Sequence, residues 1–287
     1  MVSFDKEEEN MAKIKVAALQ TNVYEDKMKN LYQLEKLLEL PELQGADLVT
    51  LGEMFNCPYQ TSNFPLYAEK EGGECWSFCS RLASKHHVYL SAGSMPEKDE
   101  NGNIYNTAYV FDREGRQIAK HRKMHLFDIN VKNGQCFKES DTLTPGDQVI
   151  VFDTEFGKMG ICVCYDFRFP ELPRLMAQRG AKIILVPAAF NMTTGPAHWE
   201  IMFRQRAVEN QVYTIGTAPA RDLSGVYTSW GHSIAVAPWG NIVYQMDEKA
   251  GHIVTELDLD EIDRVREELP LLAHRRTDLY QLKQYSN

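Results

Sequence analysis

The sequence predicts an α/β fold in which helices and sheets are stacked in layers. Short runs of β-branched residues alternate with stretches of helical period along the whole chain, as expected when helices cover the faces of sheets. The 287 residues fit one large domain, and no composition break, low-complexity linker or solenoid repeat interrupts them. We therefore expect a single domain with a C-terminal tail at residues 12–287, preceded by an acidic N-terminal extension at residues 1–11.

The first half of the chain begins with two strand–helix–strand patterns. A strand is predicted at 14–19, a helix between Met28 and Leu38 from apolar spacings of three and four, and a strand at 47–51. The second pattern predicts a strand at 88–92 after a helix with one buried face, formed by Cys75, Phe78, Cys79, Leu82 and Ala83. Turn residues at 112–115 then predict a hairpin with strands at 104–111 and 117–122.

The second half begins with a long segment, 123–146, that lacks clean periodicity. A loop of this length inside a compact domain is usually functional or disordered. Beyond it the pattern predicts a helix at 170–179 that ends before Gly180, and a second helix from about 197 to 210. The predicted strands are 149–153, 159–164, 183–186, 212–217, 233–237, 242–245 and 253–257, and a charged helix at 260–269 follows them.

Composition and charge exclude several classes of protein. With 44% hydrophobic and 25% charged residues, the chain has the composition of a soluble globular protein. Its net charge of −9 repels phosphate backbones and anionic lipids, so nucleic acid is not an expected partner. The longest apolar run, 183–190, falls far short of the ~18 residues that span a bilayer, so we expect no membrane segment.

The six cysteines show no framework spacing for disulfides, which indicates reduced thiols and a cytoplasmic location. No pair of histidines accompanies them at zinc-binding spacing. The sequence also contains no glycine-rich phosphate loop and no dinucleotide-binding fingerprint. We therefore expect neither a metal nor another cofactor.

Three polar residues stand at the ends of predicted strands. Glu53 follows the strand at 47–51, Lys123 follows the hairpin, and Cys164 precedes the helix that starts near Pro170. Strand ends line the ligand crevice of open α/β sheets, and a helix start can stabilise a thiolate. Position alone leaves alternatives open: a solvated acid, a surface lysine and a buried core cysteine. Cys162 lies on the same predicted strand, so periodicity does not choose between it and Cys164.

The sequences around these three residues resemble the carbon–nitrogen hydrolase (nitrilase) superfamily. Its three motifs occur in its chain order, as LGEMFN around Glu53, HRKMHLFD around Lys123 and CYDFRFPE from Cys164, and the similarity spans residues 13–280. The resemblance implies a four-layer α-β-β-α sandwich that dimerises through a helical layer, and hence a homodimer or larger homo-oligomer. It also implies a Glu53–Lys123–Cys164 triad with a second glutamate near the site, Glu139 in CFKES.

The resemblance implies hydrolysis of a small-molecule amide in two steps, through a thioester. Two easier steps then replace one hard step, because an amide carbonyl is a poor electrophile. Cys164 is the implied nucleophile and Glu53 the implied general base and acid. Lys123 and the backbone N–H of Tyr165 are the implied donors to the oxyanion. Glu139 is expected to orient Lys123 or the substrate.

Further segments indicate the kind of amide. YNTAYVFDREG, FNMTTGPAHWE, AVENQVY and GHSIAVAPWGNIV resemble the superfamily branch of omega-amidases and deaminated-glutathione amidases. This implies a monoamide of a short dicarboxylic acid, such as α-ketoglutaramate. Its distal carboxylate needs polar donors, for which the candidates are Tyr59, Thr193 and Thr194. Arg168 is a further possible donor, but because it follows Asp166 so closely we expect it to be a structural ion-pair partner.

Other hydrolases of the superfamily share the triad, so three enzymatic alternatives remain open. They are a deaminated-glutathione amidase, a carbamoyl-amino-acid amidohydrolase and a nitrilase. The non-enzymatic alternative is a catalytically silent binding subunit, because a fold does not determine a function. The intact Glu53, Lys123 and Cys164 argue against this last possibility.

Overall fold

Two β-sheets packed face to face form the centre of the molecule. The computed structural model describes residues 13–132, 134–225 and 227–285, so the proposed acidic extension at residues 1–11 lies outside the described residues. Helices cover the outer face of each sheet. The result is the four-layer α-β-β-α arrangement that the resemblance implies.

The first sheet contains seven strands. They are β1 (Lys13–Gln20), β2 (Leu48–Leu51), β3 (Tyr89–Ser91), β4 (Met95–Lys98), β5 (Ile104–Phe111), β6 (Gln117–Arg122) and β15 (Gly251–Asp258). Their order is β15-β1-β2-β3-β5-β4, with β6 also paired to β5. Strands β1, β2 and β3 are parallel neighbours, so their carboxyl ends lie at one edge of the sheet.

The second sheet contains six strands and repeats this arrangement of parallel central strands. They are β9 (Ile150–Thr154), β10 (Gly157–Ile161), β11 (Ile183–Pro187), β12 (Tyr213–Thr217), β13 (Ile234–Val236) and β14 (Ile242–Gln245), in the order β14-β13-β12-β11-β10-β9. Strands β10, β11 and β12 are parallel. A separate small hairpin pairs β7 (Asp128–Asn130) with β8 (Cys136–Lys138).

Six α-helices occur in the described residues: α1 (Lys27–Leu38), α2 (Phe64–Tyr67), α3 (Glu74–His86), α4 (Glu171–Gln178), α5 (Gly195–Asn210) and α6 (Asp260–Glu268). Helix α1 begins where the Asp26 carboxylate accepts hydrogen bonds from two free backbone N–H groups of the first turn. Short 3-10 turns occupy Pro41–Leu43, Glu139–Asp141 and Cys164–Arg168. None of the described helices is both long and apolar enough to cross a membrane.

Strand β1 shows how the layers are built. Ile14, Val16 and Ala18 pack into the core shared with the second sheet, while Ala17 and Leu19 pack against helices α1 and α3. The strand is therefore apolar on both faces, as strands covered on both sides are. Across the central interface β1 contacts β12 and β2 contacts β11. The hydroxyls of Thr50 on β2 and Thr217 on β12 lie 2.7 Å apart across this interface.

Most predicted elements are found within a few residues of their predicted ends, and the five residues predicted as the buried face of α3 are buried. Three differences stand out. The strand predicted at 159–164 ends at Ile161, because the chain bends into the 3-10 turn that carries Cys164. Strand β4 and helix α2 were not predicted. The segment 123–146, predicted as a loop, contains the β7–β8 hairpin.

Candidate active site

Glu53 lies directly beyond the carboxyl end of β2 and is fully buried. Its Oε1 accepts hydrogen bonds from Nζ of Lys123 at 2.8 Å and Nδ2 of Asn106 at 2.9 Å. Its Oε2 accepts the backbone N–H of Ala189, which follows β11 of the other sheet, at 2.9 Å. The preceding Gly52 permits this position, because a Cβ there would lie 2.7 Å from the backbone nitrogen of Pro219.

Lys123 follows β6 and is also fully buried. Its backbone N–H donates to the carbonyl oxygen of Asn106 at 2.8 Å, and its ammonium contacts Oε1 of both Glu53 and Glu139, at 2.8 and 2.9 Å. Burial by itself would lower the pKa of this ammonium, but Glu139 and Glu53 outweigh burial and raise the pKa above its ordinary value. Lys123 is therefore a permanent cation that can donate hydrogen bonds but cannot serve as a base.

Tyr59 and Glu139 complete the buried cluster. The Tyr59 hydroxyl lies 2.5 Å from Oε1 of Glu139 and 3.0 Å from Oε1 of Glu53. Burial raises the pKa of the phenol, so it keeps its one proton and can donate it to one carboxylate only. The shorter distance assigns that proton to Glu139. Oε2 of Glu139 accepts the backbone N–H of Phe127 at 2.6 Å, and burial raises the pKa of Glu139 although Lys123 opposes this.

Cys164 begins the 3-10 turn beyond β10 with a backbone φ of +45°. A residue other than glycine in this left-handed region costs roughly 1–2 kcal/mol, so surrounding contacts must hold the turn. The buried thiol interacts with Glu53, Lys123 and the backbone of Ala189. Burial and Glu53 raise its pKa well above the ordinary value, although Lys123 acts in the opposite direction. The resting group is therefore a thiol, because burial and Glu53 outweigh the stabilisation of a thiolate that the helix start was predicted to provide.

Asp166 joins the segment that carries Cys164 to the segment that carries Lys123. Its carboxylate contacts ring nitrogens of His121 and His125, each at 2.8 Å, and accepts the backbone N–H of Val163 at 3.1 Å. Hydrogen bonds from the two histidines overcome the effect of burial and lower the pKa of Asp166, so it remains ionised. The predicted ion pair with Arg168 is wrong, because the carboxylate points to these donors.

Arg168 is a partly buried cation in the same 3-10 turn as Cys164. Its Nη1 lies 3.0 Å from Nδ1 of His198, and its guanidinium lies 4.5 Å from the centre of the Phe190 ring. No described Asp or Glu forms an ion pair with it, and burial lowers its pKa. An Arg in this situation gains from any carboxylate that a ligand brings.

Among the described residues, the predicted binding residues Tyr165, Thr193 and Thr194 form no side-chain hydrogen bond to Glu53, Lys123 or Glu139. Tyr165 packs its ring edge-on against Phe127 at 5.1 Å and is one of several aromatic side chains beside the cluster. Thr193 and Thr194 form the turn before α5, where both backbone N–H groups donate to Oδ1 of Asn191, as does the Thr194 hydroxyl. The Tyr59 hydroxyl belongs to the carboxylate cluster described above.

Two residues that sequence reasoning missed hold the cluster in place. Asn106, in the middle of β5, binds Glu53 through its side chain and Lys123 through its backbone. Tyr227 donates its hydroxyl to the carbonyl of Ala189 and packs on the Tyr59 ring, with centres 4.6 Å apart. A buried asparagine inside the strand motif YNTAYVF was a usable signal, because polar groups are buried only with partners. Nothing in the sequence pairs Tyr227 with Tyr59.

A cavity of about 390 Å³ opens beside Glu53. Its walls include Tyr59, Ala189 and Tyr227 from the site, together with Pro58 and Ser229. The described residues contain no group of three His, Cys, Asp or Glu side chains arranged to hold a metal ion. The chemistry available at this site is therefore that of a thiol, two carboxylates, an ammonium and a phenol beside a cavity of small-molecule size.

Comparison with known protein families identifies the family of this chain. A model of the family "Carbon-nitrogen hydrolase" matches residues 15–267. The chain belongs to the carbon-nitrogen hydrolase family. This confirms the family, the fold class and the enzymatic class, hydrolysis of carbon–nitrogen bonds, that the sequence motifs predict.

Individual relatives of this carbon-nitrogen hydrolase extend the comparison. It is 45% identical over 277 residues to omega-amidase NIT2-A of Xenopus laevis, covering 96% of this chain and all of the relative. The crystal structure of Saccharomyces cerevisiae Nit3, a member of branch 10 of the nitrilase superfamily, aligns with a TM-score of 0.84 at 42% identity, over 92% of this chain and 97% of that chain.

A third structure bears on the chemistry of the family. A mutant of the amidase from Nesterenkonia sp. AN1, with the acetamide moiety of fluoroacetamide covalently added at its active-site cysteine, aligns with a TM-score of 0.75 at 26% identity. The alignment covers 93% of this hydrolase and 95% of that chain. In that relative, a cysteine is thus the residue that an amide reagent modifies.

Proposed function

We propose that the protein is an omega-amidase that hydrolyses the amide of short dicarboxylic monoamides, such as α-ketoglutaramate, and releases ammonia. The observation that carries the proposal is the fully buried Glu53–Lys123–Glu139 cluster, with contacts of 2.8 and 2.9 Å to Nζ of Lys123, beside the buried thiol of Cys164, whose pKa burial and Glu53 raise. A thiol of high pKa needs a base at hand before it can attack a carbonyl, and Glu53 is that base.

In the first step Cys164 attacks the amide carbon while Glu53 takes the thiol proton. The developing oxyanion accepts hydrogen bonds from the Lys123 ammonium and the backbone N–H of Tyr165. Glu53 then gives the proton to the leaving nitrogen, the carbon–nitrogen bond breaks, and ammonia departs. The acyl group remains on sulfur as a thioester, and Glu53 is again a carboxylate.

In the second step water cleaves the thioester. Glu53 takes a proton from the water as its oxygen attacks the carbonyl carbon, and the same two donors hold the second oxyanion. When the carbon–sulfur bond breaks, the proton on Glu53 returns to the sulfur of Cys164. The product acid leaves, and the thiol and carboxylate are restored.

Glu139 acts through Lys123 in this proposal. The 2.9 Å contact between Oε1 of Glu139 and Nζ helps to keep the ammonium protonated and directs it toward the carbonyl oxygen of the substrate. Glu139 is itself held by Tyr59 and by the backbone N–H of Phe127. The role of Tyr59 is accordingly to hold Glu139, in addition to forming the wall of the cavity.

The substrate class rests on Arg168 and on the relatives. Arg168 offers a partly buried cation that forms no ion pair with the described Asp and Glu residues, in the same turn as the nucleophile, which suits a substrate with an acid group at the end opposite the amide. The strong similarity to omega-amidase NIT2-A supports a short monoamide over the bulkier or carbamoylated alternatives. Thr193 and Thr194 remain candidates for further contacts to this carboxylate.

The test measures hydrolysis of α-ketoglutaramate, α-ketosuccinamate, deaminated glutathione, N-carbamoyl amino acids and simple nitriles. Ammonia release is the readout for every compound except deaminated glutathione, whose leaving group is a dipeptide amine and whose carboxylic acid product is measured instead. We expect the highest kcat/KM for the first two, no turnover in Cys164→Ala, and an acyl adduct on Cys164 by intact-mass analysis during turnover. Cys162→Ala is the matched control, because Cys162 is buried on the same segment and should be dispensable. Activity in Cys164→Ala would refute the nucleophile, and a higher kcat/KM for another class would refute the substrate.

We also propose a homodimer formed through the α4–α5 layer. Helix α5 buries Trp199 and Phe203 toward the second sheet but exposes Ile201, and Trp239 lies exposed in the same shallow groove. Adjacent exposed apolar side chains favour a subunit interface, and twofold pairing is the commonest assembly. Light scattering should give about twice the chain mass of 32.9 kDa, and a monomer at micromolar concentration would refute the dimer.

Two further proposals concern the ends of the domain and the compartment. Residues 12–287 form the hydrolase domain, so deletion of residues 1–11 should leave kcat and KM unchanged.

All six cysteines are free, which supports a reducing compartment and hence a cytoplasmic location. Fractionation of the source cells should recover the protein with cytoplasmic markers, and recovery in an oxidising compartment would contradict this.

A further inference from the structure

We propose that Asp166 is a positioning residue that sets the separation between Cys164 and Lys123. This inference rests on the proposed roles of those two residues. The carboxylate is fully buried and receives five N–H donors. Three of them are backbone N–H groups that belong to two chain segments about forty residues apart in sequence.

The donors flank both catalytic positions. Oδ1 accepts the backbone N–H groups of Met124 and His125 at 3.1 and 2.8 Å, and these residues directly follow Lys123. Oδ2 accepts the backbone N–H of Val163 at 3.1 Å, and this residue directly precedes Cys164. One rigid carboxylate thus links the backbone next to the cation to the backbone next to the thiol, with no other side chain between them.

The imidazoles strengthen the link on the lysine side. His121, two residues before Lys123, contacts Oδ2 through Nε2, and His125 contacts Oδ1 through Nδ1, both at 2.8 Å. Asp166 therefore holds the chain on both sides of Lys123. Hydrogen bonds to an ionised carboxylate are the stronger kind, so this attachment resists the small shifts that loops usually allow.

Asp166 also restrains the turn that presents the thiol. Its own backbone N–H donates to the carbonyl of Val163 at 3.0 Å, while its side chain accepts the N–H of the same residue. Both backbone polar groups of Val163 are thereby occupied just before Cys164, whose φ is +45°. The left-handed conformation of Cys164 persists because the neighbouring residue cannot rotate.

Displacement of a catalytic group by about 1 Å can reduce turnover about 100-fold. We therefore expect Asp166→Asn, which keeps the size of the side chain but removes its charge and one acceptor, to lower kcat by about 100-fold with KM within about twofold. The loss lies in the transition state, where Lys123 must meet the oxyanion. A change in substrate binding is not expected, because the carboxylate contacts protein groups that do not line the cavity.

The test compares amide turnover with alkylation of Cys164 by iodoacetamide in the same variant. Alkylation needs the thiol and its base but forms no oxyanion, so it should slow by less than about fivefold while kcat falls about 100-fold. A purely structural loss would reduce both rates together. Equal losses in the two reactions, or an increase in KM with unchanged kcat, would overturn the proposal.

Asp112→Asn is the matched control. Asp112 is a buried carboxylate that also accepts backbone N–H groups, those of Glu114 and Arg116, but it lies in the turn between β5 and β6. The Asp112→Asn variant should have a lower free energy of unfolding and an unchanged kcat. Both variants are measured at a temperature where circular dichroism shows them folded. If Asp166→Asn reduces kcat no more than Asp112→Asn does, Asp166 is structural only.

A second variant decides the matter if Asp166→Asn fails to fold. His125→Phe keeps the ring stacked on Phe169, whose centre lies 3.8 Å away, and removes one donor to Asp166. It should lower kcat about tenfold with KM unchanged, since one of five restraints is lost. An unchanged kcat would refute the proposal. Cys164→Ala separates the two hypotheses. Activity in Cys164→Ala refutes the proposed nucleophile. If Cys164→Ala is inactive but the Asp166 or His125 variant has a normal kcat, only the positioning role is refuted.

Discussion

Nζ of Lys123 lies 2.8 Å from Oε1 of Glu53, and neither side chain is exposed to solvent. Glu139 lies 2.9 Å from the same ammonium, so two carboxylates share one cation. A buried cluster with more carboxylates than cations is unfavourable unless hydrogen bonds to the carboxylates compensate for the loss of water. Here Asn106, Tyr59 and the backbone N–H groups of Phe127 and Ala189 provide that compensation. The cluster is consequently sensitive to the removal of any member.

Lys123→Met should abolish most activity and weaken the fold. Two buried carboxylates would lose their cation, which costs about 3–5 kcal/mol of unfolding free energy, and loss of an oxyanion donor costs about 10²–10³ in kcat. Urea unfolding and steady-state kinetics measure the two effects. Lys120→Met is the control, because Lys120 pairs with Glu71 and Glu97 outside the cluster and should leave kcat unchanged. A kcat within tenfold of the wild type would contradict the role of Lys123.

Tyr59→Phe should lower kcat by about 10–100-fold with KM nearly unchanged, because the hydroxyl donates to the Glu139 carboxyl group that holds Lys123, and a hydrogen bond of this kind contributes about 1.5–3 kcal/mol. The ring contacts with Phe64 and Tyr227 remain. If the hydroxyl instead binds the substrate carboxylate, KM for α-ketoglutaramate should rise while kcat changes little. Tyr67→Phe serves as the control, because the Tyr67 hydroxyl donates to the backbone carbonyl of Glu25, outside the cluster.

Arg168→Met should raise KM for α-ketoglutaramate about tenfold or more, because a charged hydrogen bond to the distal carboxylate contributes about 1.5–3 kcal/mol. Hydrolysis of a neutral amide of similar length should not change. Arg174→Met is the matched control, since Arg174 is a partly buried arginine on α4 whose pKa burial also lowers. Equal effects of Arg168→Met on acidic and neutral amides would exclude a role in carboxylate binding.

Asp166 should make the unfolding free energy depend on acid pH. Its pKa in the folded state lies below the ordinary value of 3.8, so its contribution to stability is complete above that pH and declines as the pH falls below it. The advantage of the wild type over Asp166→Asn should therefore shrink below about pH 3.8, by at most ~1.4 kcal/mol per pH unit. Urea titrations from pH 5 to about pH 3 test this, and a constant difference would contradict the ionised state.

Sequence reasoning pointed to Glu53, Lys123 and Cys164 through the motifs that resemble the carbon–nitrogen hydrolases, and in the structure each of the three residues lies just beyond a strand. It did not locate the hydrogen bonds that hold them, since Asn106 reaches Glu53 across 53 residues of sequence. The hairpin of β7 and β8 was missed because strands of three residues show no periodicity. Such contacts arise where the layers of the fold pack together, and the residue pattern of one segment does not specify this packing.

The error over Arg168 and Asp166 has a local cause. The two residues are close in sequence, but they lie in a 3-10 turn of three residues per turn, where positions two apart point in different directions. Asp166 turns inward to His121, and Arg168 turns toward Phe190. Sequence proximity therefore did not produce the expected ion pair.

The cluster draws its members from both sheets. Glu53 and Lys123 follow strands of the first sheet, whereas Cys164 and Ala189 follow strands of the second, and Thr50 and Thr217 meet across the interface. Each half of the chain taken alone thus carries an incomplete set of reacting groups. Turnover consequently depends on how the two sheets are aligned with each other. A compound that separates the sheets would inhibit the enzyme without contacting the thiol.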